Sequence, residues 1–252
     1  MTVATLPKRD RVVVLSSLAT VTMLSWAYLS GIAHDPMAMC MVNMRPWTVG
    51  DLSALFGMWA IMMIAMMIPA ASPMILAFAR VNRARRKQSL SYVSTSAFVL
   101  GYVGAWTIFS LAATLAQEAL HGAALLSSMG TSTSNTVGGA LLAGTGVFQF
   151  TPLKNTCLRH CRSPLGFILT EWRDGTWGAL QMGLHHGLYC VGCCWSLMGL
   201  LFVAGVMNLW WVAAIAGFVL LEKVASAGLR IERITGLLLV VWGGWVLARA
   251  FV

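Results

Sequence analysis

The sequence predicts an all-α fold, a polytopic membrane helix bundle of about seven transmembrane helices with its amino terminus inside. Three observations carry this. The 252 residues are 58% hydrophobic and only 10% charged, with a mean hydropathy of +0.77, whereas soluble domains carry about 25% charged residues. Too few ions are present to clothe a water-facing surface of this size. Apolar runs near the roughly 20 residues that cross a bilayer recur along the chain, and the basic residues fall on alternate sides of those runs.

The runs, in order, are about 12–33, 52–79, 91–117, 136–153, 177–205, 209–224 and 234–251. They make residues 1–252 a single integral membrane domain. The first follows Lys8-Arg9-Asp10-Arg11 and is longer than the 7 to 15 apolar residues of a signal core, so it reads as an uncleaved anchor. With the amino terminus inside, the inner segments hold Lys8, Arg9 and Arg11, the five basic residues from Arg80 to Lys87, then Lys154, Arg159, Arg162, Arg173, Lys223, Arg230 and Arg233. Only Arg45 and Arg249 remain outside, the asymmetry that retains basic loops in the cytoplasm. The predicted location is a membrane that bounds the cytoplasm, crossed several times. The net charge of +9 is thereby a matter of topology; it needs anionic lipid headgroups and no nucleic acid.

The second run reads Met58-Trp59-Ala60-Ile61-Met62-Met63-Ile64-Ala65-Met66-Met67-Ile68-Pro69. Met58, Met62 and Met66 recur every fourth residue, flanked by Met63 and Met67, so thioethers line one broad helical face. Thioethers fill helical cores, and they are also soft ligands for Cu(I). Pro69 and Pro73 remove two backbone donors further along the same helix, where a kink or opened backbone is expected, satisfied by neighbours or a cavity.

The fifth run carries Met182, His186, Cys190 and Cys194 at intervals of four, with Cys193 three beyond Cys190. One helical face then presents thioether, imidazole and thiol groups in succession. Cys190 to Cys194 and Met62 to Met67 fall near mid-depth of their spans, so a mixed sulfur and nitrogen site closes if the two helices touch. Gly183 and Gly187 form a small-xxx-small pair that would permit such an approach, and Gly101/Gly104 and Gly243/Gly244 are further places for close helix packing.

At the inner end of the fourth run, Cys157 and Cys161 form a Cys-x3-Cys pair that shares a helical face, where Lys154, Arg159 and Arg162 would favour thiolates. His160 falls on another face and reads as a surface residue. The outer loop from His34 to Met44 adds Met37, Met39, Cys40, Met41 and Met44, a composition able to capture a soft cation. Glu222 and Lys223 close the sixth run, where a mutual pair or snorkelling would reduce the cost of insertion.

Three blocks, MWAIMMIAMMIPAASP from Met58, QFTPLKNTCLRHCRSP from Gln149 and GLYCVGCCWSLM from Gly187, together with Leu221-Glu222-Lys223, resemble a bacterial family of predicted metal-binding integral membrane proteins of unknown function. The resemblance covers spans two to six. It implies a membrane metal site built from Cys157, Cys161, Cys190, Cys193 and Cys194 with the methionines of span two.

The leading expectation is a protein that handles Cu(I), with zinc as the other candidate metal. The ion would be captured at the outer loop around Cys40 and held by His186, Cys190, Cys193, Cys194, Met62, Met63, Met66 and Met67. It would then be exchanged with Cys157 and Cys161 or with a metallochaperone or membrane metalloenzyme. No Ser-His-Asp constellation, phosphate-binding glycine loop or paired mid-membrane carboxylate argues for catalysis. Two alternatives stand beside it: a membrane thiol-disulfide oxidoreductase working through Cys190, Cys193, Cys194 and Cys40, and an accessory subunit that packs against a larger membrane complex.

Overall fold

A computed structural model describes residues 7–34, 47–88, 93–123, 125, 132, 134–225 and 231–250. The described residues are all-α, in the order α1 (Lys8–Ala33), α2 (Val49–Lys87), α3 (Thr95–Gly122), α4 (Asn135–Phe148), α5 (Pro152–Arg162), α6 (Pro164–Glu171), α7 (Gly175–Gly199), α8 (Leu201–Ala204), α9 (Leu209–Val224) and α10 (Ile231–Ala250). Among them, five stretches are long and apolar enough to cross a membrane: α1, α2, α3, α7 continued by α8, and α10. The fourth and sixth predicted spans differ. Helices α4 and α9 have 14 and 16 residues, about 21 and 24 Å at 1.5 Å per residue, against a hydrocarbon core of about 30 Å.

The fourth run is cut short by its own sequence. Thr151 caps a new helix, its Oγ1 accepting from Lys154 N at 3.3 Å, and Pro152 occupies the first turn, where its missing donor costs nothing. Residues 149–153, predicted to finish the span, therefore form a turn and start α5. Lys154, Cys157, Leu158 and Cys161 are the buried face of α5, a one-sided spacing of three and four. The second break, at Ser163-Pro164, starts α6 with a proline in its first turn and no side-chain cap.

Helix α2 is the longest element, 39 residues, begun by a reciprocal cap. Thr48 N donates to Asp51 Oδ2 at 2.8 Å and Asp51 N to Thr48 Oγ1 at 3.3 Å, which satisfies two orphan donors. It stays helical through both prolines. Pro73 cannot donate to the carbonyl of Pro69, and Ser72 Oγ donates to that oxygen instead, at 2.8 Å. The methionine face, with Trp59, is buried, and Trp59 Nε1 donates to Gln117 Oε1 of α3 at 2.7 Å.

Two helix pairs make the most extensive contacts, α3 with α7 and α4 with α10. In the first, a Cβ on Gly183 would collide with the carbonyl of Phe98, and one on Gly101 with that of Leu180. The Gly183/Gly187 pair thus brings α7 against α3 and not against α2, as the sequence had suggested; α2 makes at most marginal backbone contact with α7. Polar links gather at one end of the bundle. Arg83 of α2 pairs with Asp10 of α1, and Arg85 Nη2 with Asp174 Oδ1, at the start of α7, at 2.6 Å. At the other end Trp47 stacks on His121, centroids 4.5 Å apart.

Candidate metal centre

Helix α5 does not hang in a loop beyond the bundle. It packs along the middle of α7, with a Cβ on Gly192 reaching 2.8 Å from Cys157 Sγ and His160 stacked on Tyr189 at 4.1 Å. Lys154, Cys157 and Cys161 lie buried beside α7. A lysine there demands a partner, and Lys154 Nζ reaches both carboxylate oxygens of Glu222, at 2.8 and 2.9 Å. Arg162 Nε donates to Glu222 O at 2.7 Å, and its Nη2 lies 3.5 Å from Glu232 Oε2. These links clamp α5 to α9 and α10, and fix where its thiols point.

Cys161 Sγ stands 4.0 Å from Cys193 Sγ, and Cys193 Sγ stands 3.3 Å from Cys194 Sγ and 3.2 Å from the carbonyl of Cys190. Cys190 Sγ accepts from Lys223 Nζ at 2.8 Å and lies 3.1 Å from Tyr102 Oη. Four thiols from α5 and α7 therefore share one buried cluster, with an ammonium from α9 and a phenol from α3 on its edge. The Glu222–Lys223 mutual pair expected from sequence does not form: Glu222 serves Lys154 and Lys223 serves Cys190. Neither Lys223 nor Tyr102 had been singled out as part of the site. A lysine at the end of an apolar run was a legible signal; nothing in the local sequence distinguishes Tyr102.

The remaining candidates take different places. Cys157 faces α7 with Cys161, one turn away, against Gly192. Burial pushes its thiol up, opposite to the thiolate expected from its cationic neighbours. His186 is buried among Phe98, Tyr102 and Phe167, and its Nδ1 has no hydrogen-bond partner. Met182 is drawn off the site, its Sδ accepting from Arg173 N at 3.3 Å. Met62, Met63, Met66 and Met67 are buried. Their helix touches the cluster through the Met67 carbonyl, which accepts from the same Tyr102 hydroxyl at 3.2 Å. Cys40 and the methionine-rich loop lie outside the described residues.

Among the described residues, no three His, Cys, Asp or Glu side chains stand grouped as a finished metal cage. With metal–sulfur bonds of about 2.3 Å, the length found for zinc thiolates, two sulfurs spanned linearly by an ion stand about 4.6 Å apart. The 4.0 Å between Cys161 and Cys193 is shorter than that and nearer the roughly 3.8 Å of two ligands at a tetrahedral angle with the same bonds; the 3.3 Å between Cys193 and Cys194 is shorter than either.

A family model of copper chaperones, PpoB2, matches residues 56–246. The chain belongs to that copper chaperone family. The matched stretch begins inside α2 and ends inside α10, so it contains every residue of the thiol cluster and leaves out α1. No curated protein and no solved structure matches the chain. Membership in a copper chaperone family agrees with a copper-handling role and, among the metals considered, favours copper over zinc.

Proposed function

We propose that this chain is an integral membrane copper chaperone that carries Cu(I) through the buried cluster of Cys161, Cys190, Cys193 and Cys194. The observation that carries the reading is the convergence of Cys161 from α5 with three cysteines of α7, four thiols in one place without a disulfide among them. Copper is cargo here, bound by sulfur pairs and passed on by ligand exchange, without a change in its oxidation state. Soft thiolates in low coordination suit Cu(I) better than zinc, which takes four ligands in a closed tetrahedron. A membrane metalloenzyme or a soluble carrier would be the partner at either end of the transfer.

The membrane location rests on outward faces that water would not tolerate. Leu24, Leu169, Leu238 and Val241 are exposed, and Trp210 is 87% exposed, a surface that lipid covers at no cost. The seven-span arrangement with the amino terminus inside remains the reading. Two of its spans, α4 and α9, are short helices; the last turn of α9 reaches the cluster through Lys223, and the end of α4 packs on α10 at Gly236, so that neighbouring helices supply part of the cover that broken backbone needs.

The test is metal analysis of the protein purified anaerobically under reducing conditions. Near-stoichiometric copper is expected, falling severalfold in Cys190→Ser or Cys194→Ser and measurably in combined Met62→Leu and Met66→Leu, with all variants still inserted in the membrane. Zinc in place of copper would remove the reading. Unchanged copper in the methionine double variant would leave that stripe as packing alone, since leucine keeps its volume.

A further inference from the structure

A cavity of about 220 Å³ opens beside the thiol cluster. It lies beside the proline-containing stretch of α2, against Ala70, Pro73 and Met74, and where α5 and α9 end. Its polar wall consists of Cys161, Arg162, His186 and Lys223. We propose that this cavity binds a small anionic thiol, of cysteine to tripeptide size, which brings the cation to Cys161 or takes it away.

Sign, softness and size point to that class. Two of the lining residues are cations and, among the described residues, none is an acid. Of the nearby carboxylates, Glu222 is held by Lys154, and Glu232, 3.5 Å from Arg162 Nη2, offsets part of that one cation's charge and leaves Lys223 without a carboxylate on the cavity wall. A low-dielectric cleft lined by one sign of charge concentrates the opposite sign. The soft groups are the Cys161 thiol and the Met74 side chain, while His186, 2% exposed, offers an Nδ1 with no partner in the protein. A single water needs about 10–15 Å³ of such space, so the cavity accepts far more than a bare ion. It is also too small for a folded carrier.

The exchange balances as a ligand substitution. Cys161 Sγ bonds the cation as the thiol's sulfur leaves it, and the Cys161 proton passes to the departing thiolate. No electron moves. This use of the cavity rests on the copper reading above, but its preference for anionic thiol reagents does not require copper.

The test labels the wild-type protein, metal-free, with two methanethiosulfonates of similar size, one carrying a sulfonate and one a trimethylammonium. Cys161 attacks the sulfenyl sulfur and methanesulfinate leaves; peptide mass spectrometry reads the rate at each cysteine. With every rate divided by that reagent's rate on free cysteine, the anionic reagent should be at least fivefold faster at Cys161 and show no such preference at Cys157, which does not line the cavity. Arg162→Gln should reduce the preference. Ala70→Leu, which fills the cavity without touching the ion pairs, should slow both reagents at Cys161. A normalised ratio of one or below at wild-type Cys161 would overturn the proposal. A second arm measures copper uptake from Cu(I)–mercaptopropionate and from Cu(I)–cysteamine, the anionic complex being expected to donate faster. Charge preference in labelling with no copper accepted from either complex would leave the cavity's assignment standing and sink the copper reading.

Discussion

Glu222 and Lys223 are neighbours in sequence and reach from α9 to different helices. Glu222 pairs with Lys154 of α5, and Lys223 donates to Cys190 Sγ of α7, so one dipeptide ties together the two helices that supply the thiols. Breaking a buried pair leaves an uncompensated charge and costs about 3–5 kcal/mol, whereas replacing both partners by apolar groups of similar volume is often neutral. Lys154→Met or Glu222→Gln alone should therefore lower the detergent-solubilised melting temperature sharply, and the Lys154→Met, Glu222→Leu double variant should recover most of it. A double variant as unstable as either single one would show that the pair is not the anchor of α5. The thiols respond at the same scale. Because burial raises the Cys157 thiol, less of it is thiolate at neutral pH than for a free cysteine. Maleimide labelling of Cys157 should thus continue to rise with pH beyond the point where free cysteine levels off; a profile shifted to lower pH would mean that Arg159 or Lys154 governs it after all.

At the scale of the element, glycines decide which helices meet. The backbone of α7 lies so near that of α3 that no side chain fits at Gly101 or Gly183. Gly183→Leu should separate the pair and move Tyr102 away from Cys190, which a lower melting temperature and lost copper would both report; Gly104→Leu, with nothing within 4 Å of its added Cβ, should do neither. The sequence showed the small-residue spacing and could not show its partner, because any helix with a matching groove would satisfy it. The same limit explains the rest of the site. The fourfold spacing of His186, Cys190 and Cys194 depends on helical geometry alone and was legible. So was the shared face of Cys157 and Cys161. That Cys161 reaches Cys193 depends on α5 folding back beside α7, a consequence of the Thr151-Pro152 break whose direction no local pattern records. Lys223 and Tyr102 join from two further helices, and only tertiary packing assembles them.

For the whole molecule, the ion pairs and the basic residues give the same division into two ends. Asp10 meets Arg83, and Arg85 meets Asp174, so the start of α1, the end of α2 and the start of α7 come together although far apart in sequence. The charge count independently assigns these segments to one side and calls it the cytoplasm, while Trp47 and His121 meet at the opposite end. In the proposed membrane arrangement these three segments share a compartment, which the basic residues would assign to the cytoplasm. An impermeant thiol reagent applied to intact cells should therefore label single cysteines introduced within residues 34–48 and should leave those within 81–88 unlabelled until the membrane is opened. Labelling confined to 81–88 would invert the orientation yet keep the bundle. Labelling of both segments in intact cells would contradict the arrangement itself, because α2 would then fail to separate its two ends.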